Sequence, residues 1–231
     1  MIRKLVPYSI KVKLQLVKRK MADKKSRYSF AKRTTSKKTY PHSISITQEL
    51  KPNEAKEKNI KIAIQKINQV EINTNEVFSF WKTIGEPSKK KGFVESRSLV
   101  NGKISKSIGG GLCQVSGLIY FISLKSGLEI IERHNHSMDI YTEETRFTPL
   151  GSDATVAFGY KDVRVKNNFD FPVKFSIKID GNKINIQLLS KEPLNALDVV
   201  FENSKFIDKE VKVTTKINNK ETYVSKYQRI K

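Results

Sequence analysis

The stretch FPVKFSIKIDGNKINIQLLS, residues 171–190, limits the possible folds more than any other part of this chain. Apolar and polar residues alternate on both sides of Asp180-Gly181-Asn182. Period-two alternation around such a turn specifies an antiparallel hairpin with one buried face. A second pattern has a different period. In KPNEAKEKNIKIAIQKINQVEI, residues 51–72, Ile60, Ala63, Ile64, Ile67 and Val70 recur at helical spacing behind Asn53, a plausible N-cap. Strand and helix periods in one chain of 231 residues, enough for one sizeable core with appendages, give the class α+β.

The remaining segments fit that class. EVFSFWKTIG groups Val77, Phe78, Phe80 and Trp81 as a short strand or aromatic corner, and EPSKKKGFVESRSLVNGKIS reads as a loop followed by a hairpin turning at Asn101-Gly102. Residues Cys113 to about Lys125 read as a helix with Leu112, Val115, Ile119 and Ile122 towards the core. Gly127 ends it and LEIIERH begins a strand. DATVAFGYKDVRVKN supplies one or two more strands. After Pro193, DVVFEN and KEVKVTTKINNKETYVSKY form a small β tail turning at Asn218-Asn219. The expected organisation is a basic arm (1–45), an α+β domain with an antiparallel or mixed sheet (46–192) and a β extension (193–231).

Charge is concentrated at the start. The net charge is +21, and residues 1–40 hold fourteen Lys or Arg against one acid, Asp23. Such a run reads as a solvated arm with one amphipathic helix near its start, able to adsorb to an anionic membrane or wall polymer. Its removal is expected to leave the fold intact. No zinc-finger spacing or aromatic RNA-binding signature supports nucleic acid. Lys11 and Lys13 interrupt the first apolar run, and no window approaches eighteen apolar residues. The chain reads as a cytoplasmic or membrane-peripheral monomer. A single cysteine excludes an internal disulfide.

That cysteine, Cys113, lies in IGGGLCQVSGLIY, and two of the three histidines, His134 and His136, follow in ERHNHS. At a helix N-terminus, unpaired amides and the helix dipole favour thiolate, the nucleophilic form. The glycines, among them Gly110 and Gly111, leave room for a substrate backbone and expose amides to an oxyanion, and Gln114 could add a donor. A helix of about twelve residues spans about 18 Å and six strand residues about 20 Å, so the end of LEIIERH returns level with Cys113. Strand alternation would put His134 and His136 on one face and Arg133 on the other. Asp153 or Asp162 could orient an imidazole. Cysteine, histidine and acid in this order match papain-like and transglutaminase-like arrangements. Two other readings stay open: a lone cysteine as a small buried apolar residue, and Cys113, His134 and His136 as ligands of a metal-dependent hydrolase. His42 reads as a surface residue.

Taken together, EVFSFWKTIGEPSKKKGF, GGGLCQVSGLIY, LEIIERHNHS, GSDATVAFGYKDVRVKNN and FPVKF resemble the VanW family over about Glu76 to Phe175. The resemblance implies work on the bacterial cell wall, in a family whose domains are often exported. Some members are understood to be cysteine L,D-transpeptidases, which form an acyl-enzyme at the third residue of a peptidoglycan stem peptide, expel D-alanine and pass the acyl group to an amine. Carried onto this chain, the resemblance implies Cys113 as nucleophile, His136 as base and Asp153 as its acid, with His134 nearby. Arg133 would bind a stem carboxylate or pair with Glu132 or Asp162. No cofactor or metal is implied. Hydrolysis of the same acyl-enzyme, or non-catalytic binding of wall precursors in the same cleft, are the alternatives.

Overall fold

The computed structural model describes residues 7–35, 38–100, 103–139, 146, 148–204 and 210–229. The described residues form four α-helices: α1 (Tyr8–Lys25), α2 (Glu54–Ile67), α3 (Phe80–Ile84) and α4 (Leu112–Ser126). The strands are β1 (Lys32–Arg33), β2 (His42–Glu49), β3 (Val70–Glu71), β4 (Val77–Ser79), β5 (Glu95–Val100), β6 (Lys103–Ile108), β7 (Glu129–Glu132) and β8 (Met138–Asp139). They continue as β9 (Arg164–Lys166), β10 (Val173–Asp180), β11 (Lys183–Ser190), β12 (Val199–Asn203), β13 (Glu210–Ile217) and β14 (Lys220–Arg229). The class is mixed α+β.

The hairpin forms as its alternation requires. β10 and β11 pair antiparallel from Val173↔Ser190 to Asp180↔Lys183, and β2 adds to the free edge of β11. Val173, Phe175, Ile177, Ile184, Ile186 and Leu188 all face the core. α2 and α4 cover that face. α2 begins where Asn53 accepts a hydrogen bond from the Lys56 amide at 2.9 Å, and it buries Ile60, Ala63 and Ile67. Val70, read as the last helical apolar residue, instead belongs to β3, because the helix stops at Ile67 with Asn68 as its cap. The aromatic segment is both strand and helix: β4 runs directly into α3, whose N-cap Ser79 accepts from the Lys82 amide.

α4 is the central element. Leu112, Val115, Ile119 and Ile122 are buried as their spacing predicts, and so are Leu118, Tyr120 and Leu124, because other elements surround the helix. It packs on β2, β11, β7 and α2. Gly127, at φ 79, ends it in the left-handed conformation that turns the chain into β7. A second small sheet, β4-β9-β7, flanks the helix. The strands β5 and β6 pair as expected; their turn at Asn101-Gly102 lies outside the described residues.

The start of the chain differs from a solvated arm. β2 crosses the expected boundary at residue 45 and completes the main sheet. α1 lies on the domain, with Val12 buried beside Gly159. Asp23 is buried and paired with Arg164 at 2.6 Å and Lys82 at 3.1 Å. Arg19 grips Glu132 at 2.5 Å. The one acid of the basic segment holds it down. Removal of residues 1–40 would therefore strip Arg164 and Glu132 of partners.

The C-terminal strands form a meander, β12-β13-β14, turning through Asn218 and Asn219 at φ 49 and 63, as a two-residue hairpin of positive φ requires. β14 pairs parallel with β8, which fastens the extension beside the segment that carries the histidines. Among the described residues no helix is long and apolar enough to cross a membrane.

Candidate functional site

Cys113 is the second residue of α4 and is half-buried at its N-terminal end. The glycine turn that delivers it is strained for any other residue. Gly111 caps the helix at φ 97, and a Cβ there would stand 3.1 Å from Cβ of Lys56. Asn59, fully buried on α2, anchors the turn. Its Nδ2 donates to the carbonyls of Gly110 and Val94, each at 3.0 Å, and its Oδ1 accepts from the Val94 amide at 2.9 Å. The Leu112 and Gln114 amides turn to the Gly109 and Gly111 carbonyls. Among the described residues, the Cys113 amide between them makes no hydrogen bond.

His136 reaches the thiol by an irregular route. β7 ends at Glu132, and residues 133–136 continue without regular pairing, so strand alternation does not govern the two histidines. His136 Nδ1 lies 2.6 Å from Asp153 Oδ2, which also accepts the His136 backbone amide at 2.7 Å. The imidazole also lies close enough to Cys113 for each to shift the other's protonation. With Nδ1 on Asp153, Nε2 is the nitrogen left for sulfur. His134 goes elsewhere: its Nε2 lies 3.0 Å from Glu132 Oε1, and its carbonyl accepts from the Thr155 amide at 2.7 Å. The residues brought together are Cys113, His136 and Asp153.

Asp153 sits on an irregular segment that α4 holds in place. Ser116 Oγ donates to the Ala154 carbonyl at 2.7 Å, and Gly117 lets residues 152–154 lie against the helix. Its Oδ1 accepts from Arg133 Nη2 at 3.1 Å and from the Tyr227 hydroxyl at 2.5 Å. Arg133 also donates to the Asp153 and Gly151 carbonyls, each at 2.9 Å, and to Ser225 Oγ at 2.5 Å, while its guanidinium covers the Tyr120 ring. Arg133 is therefore engaged inside the protein, on Asp153 and not on Glu132 or Asp162. Gln114 Nε2 is turned to the Glu49 carbonyl at 2.9 Å, tying α4 to the end of β2. Asp162 is buried away from the imidazole, on Ser79 Oγ at 2.6 Å and Arg164 Nε at 3.1 Å. His42 opens β2 half-buried.

The charges follow from these contacts. Burial pushes the Cys113 thiol up, but the His136 hydrogen bond and charge, the Val156 amide and the Thr155 hydroxyl outweigh it and bring it below its ordinary value. Burial works against a charged His136, yet Asp153 and the cysteine raise it to about 10. Asp153 is opposed by burial and held below the usual carboxylate range by His136 and Arg133. The arrangement favours a thiolate–imidazolium pair backed by a carboxylate.

Three neighbours were not legible in the sequence. Thr155 Oγ1 lies 3.7 Å from the sulfur, Tyr227 arrives from the C-terminal extension, and Asn59 holds the glycine turn. Only Asn59 carried a signal: it shares a four-residue spacing with Ala63 and Ile67, a polar residue on the apolar stripe of α2. Among the described residues no group of three or more His, Cys, Asp or Glu is arranged to hold a metal ion; the Cys113, His134 and His136 set is split by the turn of His134 to Glu132.

Fold and site together define an α+β domain carrying a thiol at a helix start, with an imidazole and a carboxylate in line behind it. The chain belongs to the VanW family: the model of that family, described as VanW like protein, matches residues 55–189, well over half of the sequence. It is 31% identical over 144 residues to the protein YoaR of Bacillus subtilis (strain 168), covering 62% of this chain and 46% of that one. It is also 31% identical over 139 residues to the vancomycin B-type resistance protein VanW of Enterococcus faecalis (strain ATCC 700802 / V583), covering 60% of this chain and 50% of that one. The chain thus spans about half the length of the curated relatives it matches. No solved structure matches it.

Proposed function

We propose that the protein is a cysteine acyl-transfer enzyme acting on peptidoglycan stem peptides, in cell-wall remodelling or glycopeptide resistance. The observation that carries this reading is the alignment of Cys113, His136 and Asp153, with Asp153 Oδ2 at 2.6 Å from Nδ1. The likeness to a vancomycin resistance protein supports the choice of substrate.

In this reading the Cys113 thiolate attacks the carbonyl carbon of the third stem residue and a C–S bond forms. The oxyanion meets the unbonded Cys113 amide at the positive end of α4. The C–N bond to the terminal D-alanine then breaks as the His136 imidazolium gives its Nε2 proton to the departing amine. An amine of a second stem, or water, attacks the thioester and gives its proton back to His136, and the thiolate leaves. Asp153 keeps the imidazole in the tautomer and orientation that this exchange needs.

The test is intact-protein mass spectrometry after incubation with a disaccharide-tetrapeptide. A tripeptide-mass adduct on Cys113, absent from Cys113→Ala, is expected. Saturable binding without adduct or turnover would replace the enzyme by a precursor-binding module.

A further inference from the structure

We infer that α1 is an interfacial helix that lays the protein on an anionic lipid surface. The helix has two working faces. One is docked: Val12 is buried beside Gly159, Arg19 holds Glu132, and Asp23 holds Arg164 and Lys82. The opposite face carries Ile10, Leu14, Val17 and Met21, which lie within about 60° of one another at about 100° per residue. They are 46%, 56%, 55% and 68% exposed, respectively. An apolar stripe three turns long and open to solvent is unusual on a protein that buries its other apolar faces.

The charges beside the stripe choose its occupant. Lys13, Lys20 and Lys24 line one border, and Lys11, Lys18 and Lys25 line the other, while the helix's one acid, Asp23, is buried on the docked face. An apolar face between two rows of lysines fits a surface of acyl chains edged by phosphates: the stripe enters the boundary region and the lysine ammonium groups reach the headgroups. A wall polymer or nucleic acid would use the lysines and leave the stripe in water. A protein partner would meet six cations around a narrow apolar centre, against the depletion of Lys in interface cores. Because Arg19 shares Glu132 with His134, a helix lying on lipid would also orient the cleft relative to that surface.

The test uses the full chain in vesicle flotation, with phosphatidylcholine alone and with about 30% phosphatidylglycerol. Two outward-facing variants are compared: Leu14→Gln/Val17→Gln/Met21→Gln and Lys13→Gln/Lys20→Gln/Lys24→Gln, each checked for an unchanged melting temperature. Binding to anionic vesicles is expected to exceed binding to neutral ones about tenfold or more, and each variant should lose about tenfold. Soluble polyphosphate should bind the apolar variant as well as it binds the wild type. Leu14→Trp should add to the Trp81 emission a component that shifts to the blue with anionic vesicles. The inference is overturned if the apolar variant binds anionic vesicles like the wild type, since adsorption is then electrostatic alone. It is equally overturned if neutral vesicles bind as well, or if sedimentation finds a dimer that the apolar variant dissolves.

Discussion

Cys113, His136 and Asp153 each receive a distinct environment, so substitutions should separate their roles. Cys113→Ala should abolish acylation, because it removes the thiol whose deprotonation the site favours. His136→Ala should slow single-turnover acylation about 10²–10⁴-fold without lowering the melting temperature much. Asp153→Asn should fall between wild type and His136→Ala, since its carboxylate acts through the imidazole. His134→Ala should cost least, its ring being turned to Glu132; a dead His134→Ala beside an active His136→Ala would reverse the assignment. The pH profile of acylation carries independent information. Acylation as proposed needs the thiol deprotonated and the imidazole protonated. The rate should therefore rise through a pH below the ordinary thiol value and fall near the His136 value of about 10. Asp153→Asn should move the alkaline limb down. A single limb at or above the free thiol value of about 8.5 would remove the ion pair.

At the scale of elements, the site is assembled by α4, the segment after β7, and β14. β14 contributes through Tyr227, whose hydroxyl donates to Asp153 Oδ1 and accepts from Arg133 Nη2 at 3.2 Å. Burial, then the Asp153 charge, raise this hydroxyl far above its ordinary value, so it stays a donor. Tyr227→Phe should cost about 1 kcal/mol of stability, the usual net value of a hydrogen bond. It should also move the alkaline limb of the acylation profile up, because a carboxylate relieved of that donor holds the imidazolium proton more tightly, which a merely structural loss would not do. α2 contributes through Asn59. Asn59→Ala leaves the Gly110 carbonyl and the Val94 amide and carbonyl without that partner, at about 1–3 kcal/mol. Denaturant unfolding gives the loss, and thiol alkylation should report a loosened glycine turn.

For the whole molecule, the consequential contacts are those joining α1 to the β4-β9-β7 sheet. Arg19, Arg164 and Lys82 interleave with Glu132, Asp162 and Asp23. Removing one member of such a buried set leaves its partners uncompensated. Asp23→Ala should therefore destabilise the fold by about 3 kcal/mol, whereas an outward Lys13→Gln should stay within about 0.5 kcal/mol. Acid should act on the same set. Burial raises Glu132, but His134, Arg19 and the Asp162 amide overcome it and hold the carboxyl at about 2 against an ordinary value of 4.5. With the folded value below the unfolded one, its contribution is complete above 4.5 and fades as pH falls through about 2. Urea titrations across that window should show a shallower loss for Glu132→Gln than for the wild type.

The elements legible in the chain are those whose information is local. The hairpin of β10 and β11, the Asn53-capped α2, the apolar α4 behind its glycines and the Asn218-Asn219 turn are all written in period and turn chemistry, because neighbours in the chain are neighbours in space. Cys113 at a helix start and an imidazole within its reach were legible for the same reason, and the family motifs followed. The rest follows from packing. Which histidine meets the thiol depended on β7 stopping at Glu132, which no alternation rule encodes. Tyr227 reaches Asp153 across 74 positions and Arg164 reaches Asp23 across 141. Such pairings depend on how finished elements pack, and a basic segment that reads as a solvated arm becomes part of the fold once one buried carboxylate finds its arginine.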